Sequence, residues 1–153
     1  MNKTSILSNV AEVKLRYSTR VRASDRVQIK CSDDAEQLIR EFWKDDMEHV
    51  ESMKLILLNR ANRVLGVTTI STGSTTGTVV DNKIIFQYAL KANASGLILV
   101  HNHPSGNLRP SAADKNITRK VREAGKLFNI QLLDHLIITP YDGFLSFADE
   151  GLF

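Results

Sequence analysis

The sequence predicts an α/β domain of three layers, in which helices pack on a mixed β-sheet. Three observations predict this class. Short apolar runs typical of strands alternate with helical patterns along most of the chain. Two pairs of these runs are joined by short turns, as antiparallel hairpins are, so the sheet is not purely parallel. The composition of the 153 residues, 42% hydrophobic and 24% charged, is that of one folded domain with a sizeable core.

The first part of the chain reads as a basic arm followed by a strand. Residues 1–25 predict an extended N-terminal arm of the kind that adds an edge strand, and residues 26–153 predict the folded domain. Residues 27–31 (VQIKC) alternate apolar and polar side chains, which predicts a strand. Cys31, the single cysteine, is predicted to be a small, half-buried apolar residue of that strand.

A helix and a hairpin are expected next. Asp33 and Glu36 form a capping signature before a helical pattern. The apolar side of this helix is predicted to consist of Leu38, Ile39, Phe42 and Trp43. The runs 53–59 (MKLILLN) and 64–70 (VLGVTTI) are separated by a short polar turn, which predicts an antiparallel hairpin.

The central strand lies between two further helices. Gly73 and Gly77 flank a loop, after which Asp81 is predicted to cap a helix that runs to about Ala94. The apolar run 97–100 (LILV) then predicts a buried strand.

The C-terminal third predicts one more helix and two strands. An apolar-periodic helix begins near Ser111 and ends at Asn129. The run 130–139 (IQLLDHLIIT) predicts a strand, the PYDG sequence at 140–143 predicts a turn, and FLSF at 144–147 predicts a last strand.

A metal-ligand pattern stands at the end of the central strand. His101 and His103 are two residues apart, so their side chains lie on one face of the strand while Asn102 points away. A short loop leads from His103 to Ser111, and Asp114 stands three residues further on. Two histidines and one carboxylate would leave the fourth position of a tetrahedral zinc site for water, as in catalytic zinc sites.

The same residues also have structural interpretations. Ser111 and Asp114 also fit a variant of the capping box, and the residues alone do not decide between a helix cap and a metal site. His135 lies inside an apolar strand, which favours a satisfied core histidine over a further ligand, whereas Asp134 beside it is a candidate for orienting a ligand histidine. His49 lies in a polar run and is predicted to be exposed.

The sequence HNHPSGNLRPSAAD at residues 101–114 resembles the HxHPx(6)SxxD signature of the MPN/JAMM metalloprotease and isopeptidase family, in the wording of its RadC-like branch. The likeness extends over roughly residues 33–153. The resemblance implies a mixed, three-layer fold related to that of the cytidine deaminases. It also implies one zinc ion per chain, with His101, His103 and Asp114 as the ligands.

The family pattern further implies two catalytic residues outside the ligand set. A glutamate at the start of the first hairpin strand would act as general base, and Glu51 matches because it stands eight residues before Asn59. Glu48 is the fallback for this role. The resemblance gives Ser111 the role of stabilising the metal-bound water or the developing oxyanion.

The function predicted on this basis is zinc-dependent hydrolysis of a peptide or isopeptide bond in an unidentified peptide or protein substrate. Ubiquitin is unsupported as the substrate, because Asn102 replaces the Ser or Thr typical of deubiquitinating relatives. RadC-like proteins are commonly labelled DNA-repair proteins, although we find no room here for the helix-hairpin-helix segment of longer members. The alternatives are therefore a nucleic-acid-binding or processing factor, or a metal-stabilised binding module without catalysis.

Charge and hydropathy constrain the partners and the location. Residues 1–30 carry seven bases and two acids, residues 33–51 eight acids and two bases, and residues 103–126 six bases and two acids. Such blocks attract nucleic acid, but they also pair with one another or form solvated faces, and interleaved aromatics are lacking, so nucleic acid is only weakly supported as a partner. No apolar run approaches 18 residues and no signal peptide is recognisable, so we expect no membrane contact and a cytoplasmic location. The sequence leaves the oligomeric state open.

Overall fold

The computed structural model describes residues 6–44, 46–73, 80–141 and 143–153. Gly77 and Asp142, which belong to the predicted loop and turn, lie outside these residues. The described elements are strands β1 to β5 and helices α1 to α3, with bounds β1 Ser52–Leu58, β2 Val64–Thr72, β3 Gly96–Asn102, β4 Gln131–Ile138, β5 Phe144–Ser146, α1 Ser32–Phe42, α2 Asn82–Lys91 and α3 Ala112–Leu127. Short 3₁₀ turns at Ile6–Asn9 and Ala23–Asp25 precede them.

The five strands form one mixed sheet in the order β2-β1-β3-β4-β5. β1 pairs antiparallel with both β2 and β3, β3 pairs parallel with β4, and β4 pairs antiparallel with β5. The predicted hairpin of β1 and β2 and the predicted mixed sheet are therefore confirmed. β3 lies at the centre of the sheet, so the strand that carries the histidines has a neighbour on each side.

Helices cover both faces of the sheet, which confirms the three layers. Alternate residues of β3 face opposite cores, because side chains on a strand alternate. Leu97 and Leu99 pack with α2 and α3, whereas Ile98 and Val100 pack in the core under α1. The same alternation places His101 on the side of α3 and Asn102 on the side of α1.

Three predictions near the N-terminus are wrong. Residues 27–31 form no strand, because Gln28 makes an isolated bridge to Arg63, and the hydrogen bonds that Val27 and Ile29 make with Val64 and Asn62 beside it do not extend into a ladder. Cys31 is exposed rather than half-buried. Between residues 6 and 25, the described chain likewise contains no edge strand, although Tyr17 donates a hydrogen bond to the carbonyl of Leu65 in β2 at 2.5 Å.

Helix α1 also begins and packs differently from the prediction. Its N-cap is Cys31 rather than Asp33, and Asp34 rather than Glu36 completes a capping box by accepting from the Cys31 backbone N–H. Ile39 is fully buried as predicted, but Phe42 is 38% exposed. The buried face instead includes Ala35, one turn before Ile39.

The ends of α2 and α3 follow the sequence signals. Asp81 caps α2 by accepting a hydrogen bond from the Lys83 N–H, as predicted, although α2 ends at Lys91 rather than near Ala94. After α3, Asn129 adopts a left-handed φ of 55° and the Ile130 N–H bonds back to the Gly125 carbonyl. This is a Schellman termination, in which asparagine takes the position that glycine usually occupies. In the part of the chain that the structure describes, no helix is long and apolar enough to cross a membrane.

Candidate metal centre

The two histidines of the motif meet at the end of β3. His101 pairs with Met53 of β1 and Ile137 of β4 and is fully buried. The strand ends at Asn102, but the His103 N–H still donates to the Ile138 carbonyl at 2.8 Å, which keeps its side chain on the same face as His101. The Nε2 atoms of His101 and His103 are 2.9 Å apart.

Asp114 joins this pair from the first turn of α3. Its carboxylate oxygens lie 3.2 Å from His101 Nε2 and 3.6 Å from His103 Nε2. It also completes a capping box, since Ser111 Oγ accepts from the Asp114 N–H at 3.0 Å and the Asp114 carboxylate accepts from the Ser111 N–H at 2.7 Å. The capping interpretation of Ser111 and Asp114 is therefore confirmed, and the cap holds the acid beside both histidines.

Glu51 approaches the histidines from the residue before β1. One ligand atom each from Glu51, His101 and His103 lies within 4.8 Å of the others, a grouping that could hold a metal ion. Glu48, the alternative base, is exposed on a turn and is not part of that group. His49 is exposed as predicted and pairs with Asp46 at 2.7 Å.

Asn102 anchors the segment that carries Glu51. Its buried side chain accepts from the Ser52 N–H at 2.7 Å and donates to the carbonyls of Val50 at 2.8 Å and Met47 at 2.9 Å. The residues on both sides of Glu51 are thus tied to the residue between the two histidines. The sequence predicted that Asn102 points away from the site, but it did not indicate that the Asn102 side chain holds the segment around Glu51.

Hydrogen bonds behind the two histidines decide which ring nitrogens face the site. His103 Nδ1 donates to the Asn107 carbonyl at 2.5 Å. His101 Nδ1 lies 2.8 Å from Nε2 of His135, whose own Nδ1 lies 2.7 Å from the Thr118 hydroxyl. In the neutral rings, a hydrogen on each Nδ1 leaves Nε2 of His101 and His103 as a lone pair directed at the site.

His101 contacts His135 rather than Asp134, which was the candidate for orienting a ligand histidine. Asp134 accepts hydrogen bonds from the Ser146 hydroxyl and from the N–H groups of Ala148 and His135, and none of these three donors is a ligand histidine side chain. His135 is the satisfied core histidine that was predicted, yet it is also the group that contacts His101. The alternation of side chains along β4 could have indicated this contact. Leu136 and Ile138 pack under α1, so His135, which directly precedes Leu136 in the strand, faces α3.

The electrostatics of the centre favour a cation. Burial opposes ionisation of Asp114, but hydrogen bonds with His101 and His103 outweigh it and hold the pKa of this carboxyl well below its usual range. Hydrogen bonding to Asp114 raises the pKa of His103 against the effect of burial. Burial lowers the pKa of His135 well below its usual value, so this ring is neutral at pH 7. A neutral partner behind His101 and an ionised acid in front of it fit a site that accepts positive charge.

A solvent-accessible cleft of about 460 Å³ lies beside the candidate metal centre. Glu51, His103 and Ser111 line it together with Arg109 and His49. Two imidazole nitrogens with carboxylate oxygens are a donor set that divalent zinc and similar borderline ions accept, so the residues fit the metal that the motif implies. The arrangement can hold a metal ion at the base of a solvent-accessible cleft, with a second acid beside it.

The chain is similar to known proteins over most of its length. The RadC-like JAB domain family matches residues 29–152. A UPF0758 protein of Flavobacterium johnsoniae is 41% identical over 142 residues, which cover 91% of this chain and 61% of that protein. A UPF0758 protein of Clostridium kluyveri is 36% identical over 98% of this chain and 64% of its own length. A UPF0758 protein of Geotalea uraniireducens is 42% identical over 76% of this chain and 51% of its own. The chain thus spans about three fifths of the length of the first two relatives.

Proposed function

The chain belongs to the RadC-like JAB domain family, and from that membership we propose that it is a zinc-dependent hydrolase that cleaves a peptide or isopeptide bond. Membership supports a metal-dependent, hydrolase-like role or a role associated with DNA repair. The residues of the candidate metal centre favour hydrolysis between these two.

One observation carries the proposal. The Nε2 atoms of His101 and His103 lie 2.9 Å apart, and the Asp114 carboxylate lies 3.2 Å from Nε2 of His101. Lone pairs and a carboxylate repel one another at this distance unless a proton or a metal ion lies between them. Because both Nδ1 atoms are held by hydrogen bonds to the protein, the arrangement is prepared for a cation that accepts both Nε2 atoms.

Residues around the centre supply the remaining chemistry. When bound, a zinc ion polarises a carbonyl group and lowers the pKa of water to about 7. Glu51 takes a proton from the attacking water and delivers it to the leaving nitrogen, so that the C–N bond breaks into a carboxylate and an amine. Ser111 Oγ accepts from the Asp114 N–H, which leaves its own hydrogen able to donate to the developing oxyanion.

The first test is metal content. Protein purified without added metal and without a histidine tag should carry about one zinc ion per chain. The ion should be lost in His103→Ala and Asp114→Ala, each of which removes one ligand. A wild-type chain that takes up no zinc even when zinc is offered would overturn the proposal.

The second test separates the base from the ligands. Glu51→Gln keeps the size of the side chain but cannot accept a proton, so we expect zinc content to be retained and turnover of peptide and isopeptide substrates to fall by at least about 100-fold. Glu48→Gln, on the exposed turn nearby, is the matched control and should retain both. Hydrolysis at the wild-type rate in Glu51→Gln would refute the role of Glu51.

Nucleic-acid binding is the second candidate, and helix α3 is the observation that favours it. Five basic side chains of α3 are exposed, Lys115, Arg119, Lys120, Arg122 and Lys126. The helix begins at the metal centre, so a polyanion bound along it would pass close to the cleft. Binding to a DNA duplex that weakens steeply as salt is raised would support this candidate, whereas affinity that is negligible at low salt would exclude it.

A further inference from the structure

We propose that His135 and Thr118 are positioning residues that fix the tautomer and the ring orientation of His101 and so prepare it to bind the metal. The inference deepens the proposed function and rests on the metal centre described there. Neither residue belongs to the HxHPx(6)SxxD signature. Neither contacts the cleft, whose walls are formed by other side chains.

The direction of each hydrogen bond follows from the atom at the end of the series. The Thr118 hydroxyl donates to the backbone carbonyl of Asp114 at 2.7 Å, and a carbonyl can only accept. The single hydroxyl hydrogen is then used, so Thr118 Oγ1 accepts from His135 Nδ1. With its hydrogen on Nδ1, the neutral His135 presents a lone pair on Nε2.

That lone pair determines the state of His101. The His135 Nε2 atom lies 2.8 Å from His101 Nδ1 and can only accept, so His101 must carry its hydrogen on Nδ1. Its Nε2 atom is left without a hydrogen and faces His103 and Asp114. The backbone carbonyl of Asp114 therefore fixes, through Thr118 and His135, the tautomer of His101. The side-chain carboxylate of Asp114 faces the same His101 ring.

Packing restricts rearrangement of this hydrogen-bond relay, which runs from the Asp114 carbonyl through Thr118 and His135 to His101. His101 and His135 are fully buried, and Thr118 is 3% exposed. The His135 ring also stacks on Phe147, with ring centroids 4.7 Å apart and an interplanar angle of 24°. Because burial and this stacking hold the His135 ring in place, the hydrogen-bond direction is set mainly by the hydroxyl of Thr118.

Removing that hydroxyl should therefore impair the centre from a distance. In Thr118→Val, a near-isosteric change, His135 Nδ1 loses its acceptor, and the ring favours the tautomer with the hydrogen on Nε2. That hydrogen then points at His101 Nδ1 and displaces the His101 hydrogen to Nε2, where it blocks the metal. Thr118→Ser keeps the hydroxyl and should keep the relay.

The experiment compares Thr118→Val, Thr118→Ser and His135→Phe with a matched control. Thr139→Val is that control, because Thr139 is 2% exposed and its hydroxyl donates to the Tyr141 carbonyl, two residues away, at 3.2 Å. Zinc affinity is measured by competition with a chromophoric chelator. Histidine tautomers are read from side-chain ¹⁵N NMR shifts of the metal-free chain, and thermal unfolding of the metal-free variants identifies any that do not fold.

The expected result is a 10- to 100-fold weaker zinc affinity in Thr118→Val and His135→Phe, with Thr118→Ser and Thr139→Val unchanged, a loss typical of removing a group that supports a metal ligand. The wild-type spectrum should show His101 protonated on Nδ1, and Thr118→Val should shift that hydrogen. Equal affinities in Thr118→Val and Thr139→Val, or a wild-type His101 protonated on Nε2, would overturn the relay. A wild-type chain that shows the expected tautomers but binds no zinc would instead overturn the proposed function.

Discussion

Asp114 combines a helix-capping contact with a position beside both histidines of the candidate metal centre. Its carboxylate closes the capping box of α3 through the Ser111 N–H and at the same time lies beside both histidines. The cap holds the carboxylate in place before any ligand arrives, so little side-chain entropy remains to be lost on binding. The capping contact of Asp114 is therefore compatible with the proposed role of its carboxylate as a metal ligand.

Asn102 connects the two halves of the site, which leads to a prediction. In Asn102→Ala, the Ser52 N–H and the carbonyls of Val50 and Met47 lose buried partners, so we expect a loss of stability of about 3 kcal/mol. Zinc affinity should stay within about threefold of the wild-type value, because the ligand side chains project from the face of β3 opposite to Asn102. Turnover should fall, because the segment around Glu51 is no longer held.

Zinc titration, urea unfolding and hydrolysis assays together check this outcome. Asn116→Ala is the control: the Asn116 side chain is exposed and accepts a hydrogen bond from Arg119 on the same helix, so this variant should leave all three quantities unchanged. Turnover that survives in Asn102→Ala would show that Glu51 is positioned by other contacts.

Asp134 allows a prediction about pH. Burial raises its pKa, even though hydrogen bonds from Ser146, Ala148 and His135 oppose the shift. An acid whose folded-state pKa is raised favours the folded state while it is protonated in both states, and this advantage is lost as the pH rises through the folded-state pKa. Asp134→Asn removes the titration and keeps an oxygen for the two N–H donors, so its stability relative to wild type should improve between pH 4 and pH 7.

Urea unfolding of both metal-free proteins at several pH values in this window measures the difference. Chelator is present throughout, so that metal binding does not contribute to the pH dependence. A difference in unfolding free energy that is constant with pH, or that moves against the variant as pH rises, would contradict the assignment.

At the scale of elements, the close turn after α3 depends on Gly125. A Cβ atom at this position would lie 2.2 Å from the Ile130 carbonyl oxygen, which belongs to the Schellman turn leading into β4. Gly125→Ala should therefore destabilise the fold by roughly 3 kcal/mol, although alanine is the better helix former by about 1 kcal/mol.

The control for Gly125→Ala is another glycine-to-alanine change. Gly66 lies in β2, where the nearest atom to an added Cβ is in Tyr17 at 3.9 Å, an ordinary contact distance. Gly66→Ala should change the free energy of unfolding by less than about 1 kcal/mol. Similar losses in the two variants, measured by denaturant unfolding, would show that the approach of Ile130 is not what requires Gly125.

For the whole molecule, features that depend on local sequence patterns were predicted better than features that depend on long-range contacts. The hairpin, the Asp81 cap and the common face of His101 and His103 follow from periodicity or from signals within a few residues. The failures have a different cause. Residues 27–31 alternate like a strand but find only one bridging partner, and the contact of His135 with His101 depends on the register of two strands 34 residues apart in sequence.

The position of the centre also makes metal binding a property of the whole fold. Its groups come from the end of β3, the start of α3 and the residue before β1, which an unfolded chain cannot bring together. A ligand that binds only the folded state stabilises it by about 2.7 kcal/mol at a free concentration 100 times its dissociation constant. For a domain of this size, zinc at that level should raise the melting temperature by roughly 5–10 °C, and chelator should reverse the rise. His103→Ala should melt at nearly the same temperature with zinc and with chelator; an equal zinc-dependent rise in this variant would place the bound metal elsewhere on the chain.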